Sequence, residues 1–368
     1  MKHLRKLAIL AFAALFAATA LGCSLFREKS EEILPHLISE EESESEPVRR
    51  AELLTDAKGF SAKTTNEQFD ELVDILYNGY RPDFGKAQPV VKQVYEKAMD
   101  ILNRYVKNDF SDYERVHAMH DWLVYYVKYD FELAENPSAA DPNNRSFRLD
   151  GALLYNKAVC DGYAKAFALM CGIEQIPCIR VLGRFTGPNG IPENHAWNKV
   201  QLNGKWYNLD STMDAFHLET SSGKYERILN HGYYLLSDAD ISDSLTGRHE
   251  QTGTVPSLVD YPCEESYDFH SQENLGIGSY KMTVTSQNEL NGIFEKVKDA
   301  NGKIGKLELK LDFPEYDKVN LKRPDAYLMQ ISAAYSKIKD CDYRFDSASG
   351  IYPYYRYPQG VFVFLIYK

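Results

Sequence analysis

The chain has 368 residues, enough for two domains with cores of their own at roughly 100–200 residues each. Its 44% hydrophobic and 26% charged content is that of an ordinary globular protein. The formal net charge of −11 argues against a nucleic-acid partner, which needs a basic face, and disfavours lying flat on an anionic membrane.

The first segment reads as an address. Lys2, Arg5 and Lys6 precede an apolar run from Leu7 to Ala18 that is short for a spanning helix. Ala20-Leu21-Gly22-Cys23 follows and resembles a bacterial lipoprotein signal. That resemblance implies cleavage of residues 1–22, a lipid on Cys23, and export to the outer face of the cell membrane. Residues 23–60 read as an acidic tether, because the run Ser39 to Pro47 is built of Glu and Ser and has nothing to bury. About 37 flexible residues span roughly 35 Å on average.

Helices follow. Thr65 to Gly79 places Phe69, Leu72, Val73 and Leu76 on one side, and Val90 to Val106 forms a second. Ser111-Asp112-Tyr113-Glu114 has the capping-box pattern and opens a third, with Val116, Met119, Leu123 and Val127 as its apolar positions. His117 and His120 on that helix read as surface or packing residues. Asn136 to Asn144 is a loop by its Pro, Asn and Asp content.

The stretch Gly151 to Thr212 organises the rest. Cys160 stands at the start of an apolar helix in which Ala164, Phe167 and Cys171 share its face. The amides of a helix N-terminus favour a thiolate. After a strand at Cys178 to Phe185 and a turn-rich loop at Thr186 to Pro192 come two further strands, His195 to Leu202 and Lys205 to Asp210. Asn203-Gly204 between them predicts a type I′ turn, which pairs Leu202 with Lys205, Val200 with Tyr207 and Trp197 with Asp210. Strand side chains alternate, so His195, Trp197 and Asp210 share a face, with His195 and Asp210 diagonal at roughly 7–8 Å between backbones. A nucleophile, a base and an orienting carboxylate in the order Cys160, His195, Asp210 are the parts of an acyl-transfer triad.

Beyond the hairpin, His231 to Asp238 reads as a short strand that closes the core, and His217 and His231 as surface residues without a role. Residues 246–277 read as a polar connector. A small α+β domain is expected over residues 278–368: a strand at Tyr280 to Thr285, a helix through Leu290, Ile293, Phe294 and Val297, a cleanly alternating strand at Lys306 to Phe313, a helix at Ala326 to Ile338, and strands at Tyr343 to Phe345 and Val361 to Tyr367. Of the six cysteines, Cys171, Cys178, Cys263 and Cys341 have no metal-ligand spacing; Cys171 and Cys178 read as packing residues, with a disulfide open to them in an exported chain. No cofactor and no metal is called for.

Val159-Cys160-Asp161-Gly162-Tyr163-Ala164, Asn194-His195-Ala196-Trp197-Asn198 and Trp206-Tyr207-Asn208-Leu209-Asp210-Ser211-Thr212 resemble the three blocks of the transglutaminase-like superfamily. The resemblance spans roughly Ser111 to Ile241. It implies an α+β, papain-like core within residues 61–245, with Cys160, His195 and Asp210 catalytic. Nothing resembles the β-sandwich domains of animal transglutaminases, so calcium control is not implied. The backbone amide of Cys160 and the side chain of Tyr155 or Asn156 are the oxyanion candidates, because papain-like enzymes use a residue upstream of the cysteine. The expected activity is attack on protein or peptidoglycan-peptide amides at the cell envelope, hydrolytic rather than cross-linking. A binding or scaffold lipoprotein on the same fold is the alternative, and an amidase that strips glycans from asparagine is a weaker third.

Overall fold

The computed structural model describes residues 47–134, 141, 143–187, 190–219, 225–243, 247–255, 261–271, 279–299, 306–313, 354–357 and 361–365. The signal segment, Cys23, the acidic run up to Glu46, most of the 136–144 loop, the 326–338 helix, the 343–345 strand and Cys341 lie outside the described residues. Among the described residues no helix is long and apolar enough to cross a membrane.

Three helices lead to the site. In α1 (Thr65–Tyr77) and α3 (Asp112–Tyr126) the capping box closes in both directions: the Ser or Thr oxygen accepts the amide three residues on, and that residue's carboxylate accepts the cap amide. Between them, α2 (Pro89–Tyr105) begins with proline, whose missing N–H would have had no helical acceptor. Their apolar faces share one core with α4 (Leu149–Leu154) and α5 (Cys160–Ile173). Only Cys160, Asp161 and Lys165 of α5 escape full burial, so this helix is the axis of the core.

Short parallel pairs, β1 (Ala57–Gly59) with β2 (Arg81–Asp83) and β3 (Lys128–Tyr129) with β4 (Lys157–Ala158), brace the helical side. The main sheet is antiparallel. It contains β5 (Cys178–Thr186), β6 (Pro192–Leu202) and β7 (Lys205–Leu209), while β8 (Ala215–Glu219) and β9 (Tyr225–Leu229) form a separate hairpin. A fourth strand, β10 (Arg248–Val255), pairs with β5, giving the order β10-β5-β6-β7. The β6–β7 turn has Asn203 at φ 50° and Gly204 at φ 81°, as a type I′ turn requires, and the register pairs Leu202 with Lys205 and Val200 with Tyr207. A smaller sheet, β11 (Ser279–Val284), β12 (Lys306–Leu311), β13 (Tyr354–Tyr357) and β14 (Val361–Leu365), has the order β11-β12-β14-β13 and is joined by α6 (Gln287–Asp299). The whole is the expected α+β class.

Four expectations are corrected. Residues 47–60 are not tether: Arg49 is fully buried, its guanidinium 3.0 Å from Glu174 at the end of α5, and residues 50–53 and 57–59 form a 3-10 turn and β1. Composition marked this segment as solvated, but its partner stands 125 residues downstream. Residues 231–238 are not a strand; they form turns with a single bridge from Leu236 to Asn208. His231 is not at the surface but 1% exposed. Finally, residues 248–255 are not connector but the edge of the main sheet; an edge strand with a solvent face has no reason to be apolar, and a bulge at Gln251/Gly253 breaks its alternation.

Candidate active site

Cys160 is the first residue of α5. Its helix has no side-chain cap, so the terminal amides stay available to the thiol. Two contacts hold this start in place. Tyr163 donates its hydroxyl proton to the Val127 carbonyl, and Gly162 lies so close to the Ser146 carbonyl that a Cβ there would come within 2.6 Å of its oxygen. Asp161, beside the thiol, is held outward by Arg180 at 2.6 Å and Lys165 at 2.9 Å.

His195 lies on β6, and Asp210 is the residue just past the end of β7, capping the next helix rather than ending the strand. His195 Nε2 donates to Asp210 Oδ2 at 2.6 Å. That leaves Nδ1 free toward Cys160, whose sulfur is near enough to raise the ring's pKa. Trp197 lies 6.1 Å from the imidazole, nearly parallel to it, and its indole N–H donates to Asn208 at 3.0 Å. The Trp197 ring needs the missing side chain of Gly183: a Cβ there would stand 2.7 Å from the ring and 2.3 Å from the Glu250 carbonyl oxygen.

Asp210 is saturated. Oδ1 accepts the Thr212 and Met213 amides at 3.0 and 3.2 Å, as the N-cap of a one-turn helix at Ser211–Asp214. Oδ2 accepts from His195 and also from His249 Nε2 at 2.9 Å. His249 sits on β10, fully buried, with Nδ1 3.0 Å from the Ile241 carbonyl. Sequence reasoning missed it, because it lies in a polar stretch with neither apolar periodicity nor motif.

Electrostatics follow from these contacts. Burial alone would lower the His195 pKa; the Asp210 charge and hydrogen bond, then Cys160, raise it to about 10. Burial alone would raise Asp210; His195 and His249 reverse this and hold the carboxyl far below the usual range. Burial keeps His249 below its ordinary value despite Asp210. The imidazole next to the thiol is therefore held in its protonated form.

The proposed oxyanion side chains are placed elsewhere. Tyr155 is 55% exposed with the Arg145 guanidinium 3.8 Å from its ring centre, and Asn156 is an exposed turn residue at φ 51°. The extended residues of β4 run between this turn and Cys160 and carry both away from it. Tyr129 of β3 is the hydroxyl that senses the thiol: burial first, then the charges of Cys160, Glu193 and Asp210, push its pKa far above the ordinary phenol value.

The other thiols differ from Cys160. Cys171, Cys178 and Cys263 are free and buried, so no disulfide joins Cys171 to Cys178. Burial, with Cys178 beside it, pushes the Cys171 thiol well up. A second polar cluster also lies inside the fold. His120 is wedged between Asp121 and Asp214, each at 3.1 Å, and these carboxylates raise it to about 9 against the effect of burial. Burial pushes His231 down to about 4.

Residues 99–211 match the model of the transglutaminase-like superfamily, a span that contains Cys160, His195 and Asp210. The Kyphoscoliosis peptidase of Mus musculus is 30% identical over 165 residues, 42% of this chain and 24% of that protein. Its counterpart from Homo sapiens is 29% identical over 147 residues, 38% of this chain and 22% of that protein. The chain thus spans about a quarter of the length of these curated relatives. Among solved structures, one described as a TGase is 22% identical, covering 41% of this chain and 34% of that one, with a TM-score of 0.27. Residues 99–211 are thus similar to the transglutaminase-like superfamily, within a mixed α+β fold.

Proposed function

We propose that the protein is a thiol enzyme of the bacterial cell envelope that opens amide bonds through an acyl-thioester on Cys160. The observation that carries this reading is the placement of His195 between the Cys160 sulfur and the Asp210 carboxylate. With the proton resident on His195, the sulfur is the nucleophile as a thiolate. Its electron pair forms the C–S bond, and the carbonyl electrons move to oxygen. The Cys160 amide, at the first helical position and without a helical acceptor, supplies one oxyanion donor; the Tyr129 hydroxyl supplies the other. Collapse breaks the C–N bond, and His195 gives its proton to the leaving amine. His195 then takes a proton from water, which displaces the thiolate and releases the acid. Asp210 fixes the ring throughout.

Water rather than an amine is the acceptor in this reading, and the name peptidase carried by the relatives points the same way. The substrate class is a protein or peptidoglycan-peptide amide, presented to a domain held on the outer face of the membrane by a lipid on Cys23. The test is a screen of wall peptides and envelope proteins with the purified chain, read by mass spectrometry with and without an added primary amine. A new carboxylate in both arms, absent with Cys160→Ala, supports hydrolysis. An amine adduct makes it a transferase. A competent thiol that turns nothing over would favour the binding-module reading.

A further inference from the structure

The second polar cluster has the donor set and spacing of a metal site. His117 and Asp121 are one turn apart on α3, and His231 follows β9. His117 Nε2 is 3.2 Å from His231 Nε2 and 3.2 Å from Asp121 Oδ2, and His231 Nε2 is 2.8 Å from Asp121 Oδ1. Ligands about 2.0–2.1 Å from a tetrahedral zinc ion stand about 3.3 Å from one another. The two Nε2 atoms and the Asp121 carboxylate therefore lie near the spacing of such a tetrahedron's edges, His117 reaching one carboxylate oxygen and His231 the other.

Two observations point to a cation. Asp121 is completely buried, and its Oδ2 has only His117 Nε2 near it, at 3.2 Å and without well-formed hydrogen-bond geometry. A buried carboxylate oxygen that lacks a well-formed hydrogen bond is costly unless a positive centre faces it. The second concerns His231. Its Nδ1 is 3.2 Å from Glu308 Oε2, and its backbone amide donates to Glu308 Oε1 at 3.0 Å. With the ring proton given to Glu308, the Nε2 lone pair is left facing Asp121 and His117. A histidine that donates one nitrogen to a carboxylate and presents the other to the metal is the usual second-sphere arrangement at zinc. Glu308 is itself buried and further fixed by His270 Nε2 at 2.9 Å. His120 holds Asp121 Oδ1 from the other side at 3.1 Å.

We propose that His117, Asp121 and His231 bind a zinc-type divalent cation, with Glu308 orienting His231. Two imidazoles and one carboxylate favour zinc over calcium or magnesium, which take oxygen ligands. His117, whose side chain is 25% exposed, gives the ion its way in. The ion would clamp α3 to the segment after β9, and through Glu308 to β12 of the second sheet.

The experiment uses the full untagged chain, stripped with a chelator, titrated with Zn²⁺ against a chromophoric competitor, and melted with and without Zn²⁺. The expected result is one Zn²⁺ per chain and a raised melting temperature. His195→Ala, which breaks the other cluster of histidines, should keep both. His117→Ala should weaken binding by more than about a hundredfold and abolish the thermal shift, and Glu308→Gln should weaken it about 10–100-fold. Far-UV circular dichroism checks folding, and His117, being partly exposed, is the substitution least able to disturb it. No binding by the intact chain, unchanged affinity in folded His117→Ala, or loss of the ion in folded His195→Ala would each overturn the proposal; the first would make the cluster a network of buried hydrogen-bonded ions instead.

Discussion

Asp210 accepts four hydrogen bonds, two on each oxygen, and the two on Oδ2 come from different histidines. This arrangement makes the His195 proton unusually hard to remove, with a pKa of about 10 against the ordinary 6.5. Its folded value is raised, so the protonated form is fully present below 6.5 and lost as pH rises through about 10. Amide turnover should therefore fall on an alkaline limb near 10, and in Asp210→Asn that limb should move down toward 6.5, measured from the pH dependence of kcat/KM. His249→Ala removes one donor to the carboxylate. A hydrogen bond to a charged group is worth about 1.5–3 kcal/mol, so kcat should drop roughly ten- to hundredfold while Cys160 still alkylates. The triad was legible because Asn203-Gly204 fixes a register, and a register fixes which residues share a face. His249 was not, since nothing local distinguishes a histidine on a polar edge strand. Tyr155 and Asn156 failed for a related reason: nearness in sequence to Cys160 says nothing of the extended residues between.

At the scale of elements, α5 is held at both ends by groups of distant origin. Its start is fixed by Tyr163 and Gly162, and its end by Glu174, which pairs with Arg49 and Arg115 in full burial. Such a trio is expensive to break from one side, because the remaining charges stay buried. Glu174→Ala should cost about 3–5 kcal/mol in urea unfolding, with the thermal midpoint falling accordingly. A cost under about 1 kcal/mol would mean that the arginines reach solvent instead. The helix itself was readable from its apolar run. The buried pair was not, because a salt bridge between residues 49 and 174 leaves no mark on either local pattern.

For the whole molecule, the two sheets are less separate than composition suggests. The alternation of Lys306 to Phe313 predicts a polar outer face, yet Glu308 on that face is buried against His231 and His270. The sequence division at residue 245 likewise falls short of β10, whose His249 belongs to the site. Strand existence was legible in both places or missed for want of apolar residues; which surfaces meet was not, since it depends on partners far along the chain. The proposed anchoring is a property of the intact precursor. Cys23→Ser should block lipidation and move the protein from the membrane to the soluble fraction. Unchanged fractionation would show that Cys23 is not the lipid site.

The account stands on the pairing of Cys160 with His195, and one measurement reads it directly: the rate of iodoacetamide labelling at each cysteine of the native chain at about pH 6, well under the roughly 8.5 of a free thiol, resolved by peptide mass spectrometry. Cys160 is partly exposed and stands beside a protonated imidazole, whereas Cys171, Cys178 and Cys263 are buried. Cys160 should label far ahead of these three, and His195→Ala should slow it toward their rate. Labelling of Cys160 no faster than that of the buried thiols would contradict the pairing, and with it the proposed enzyme.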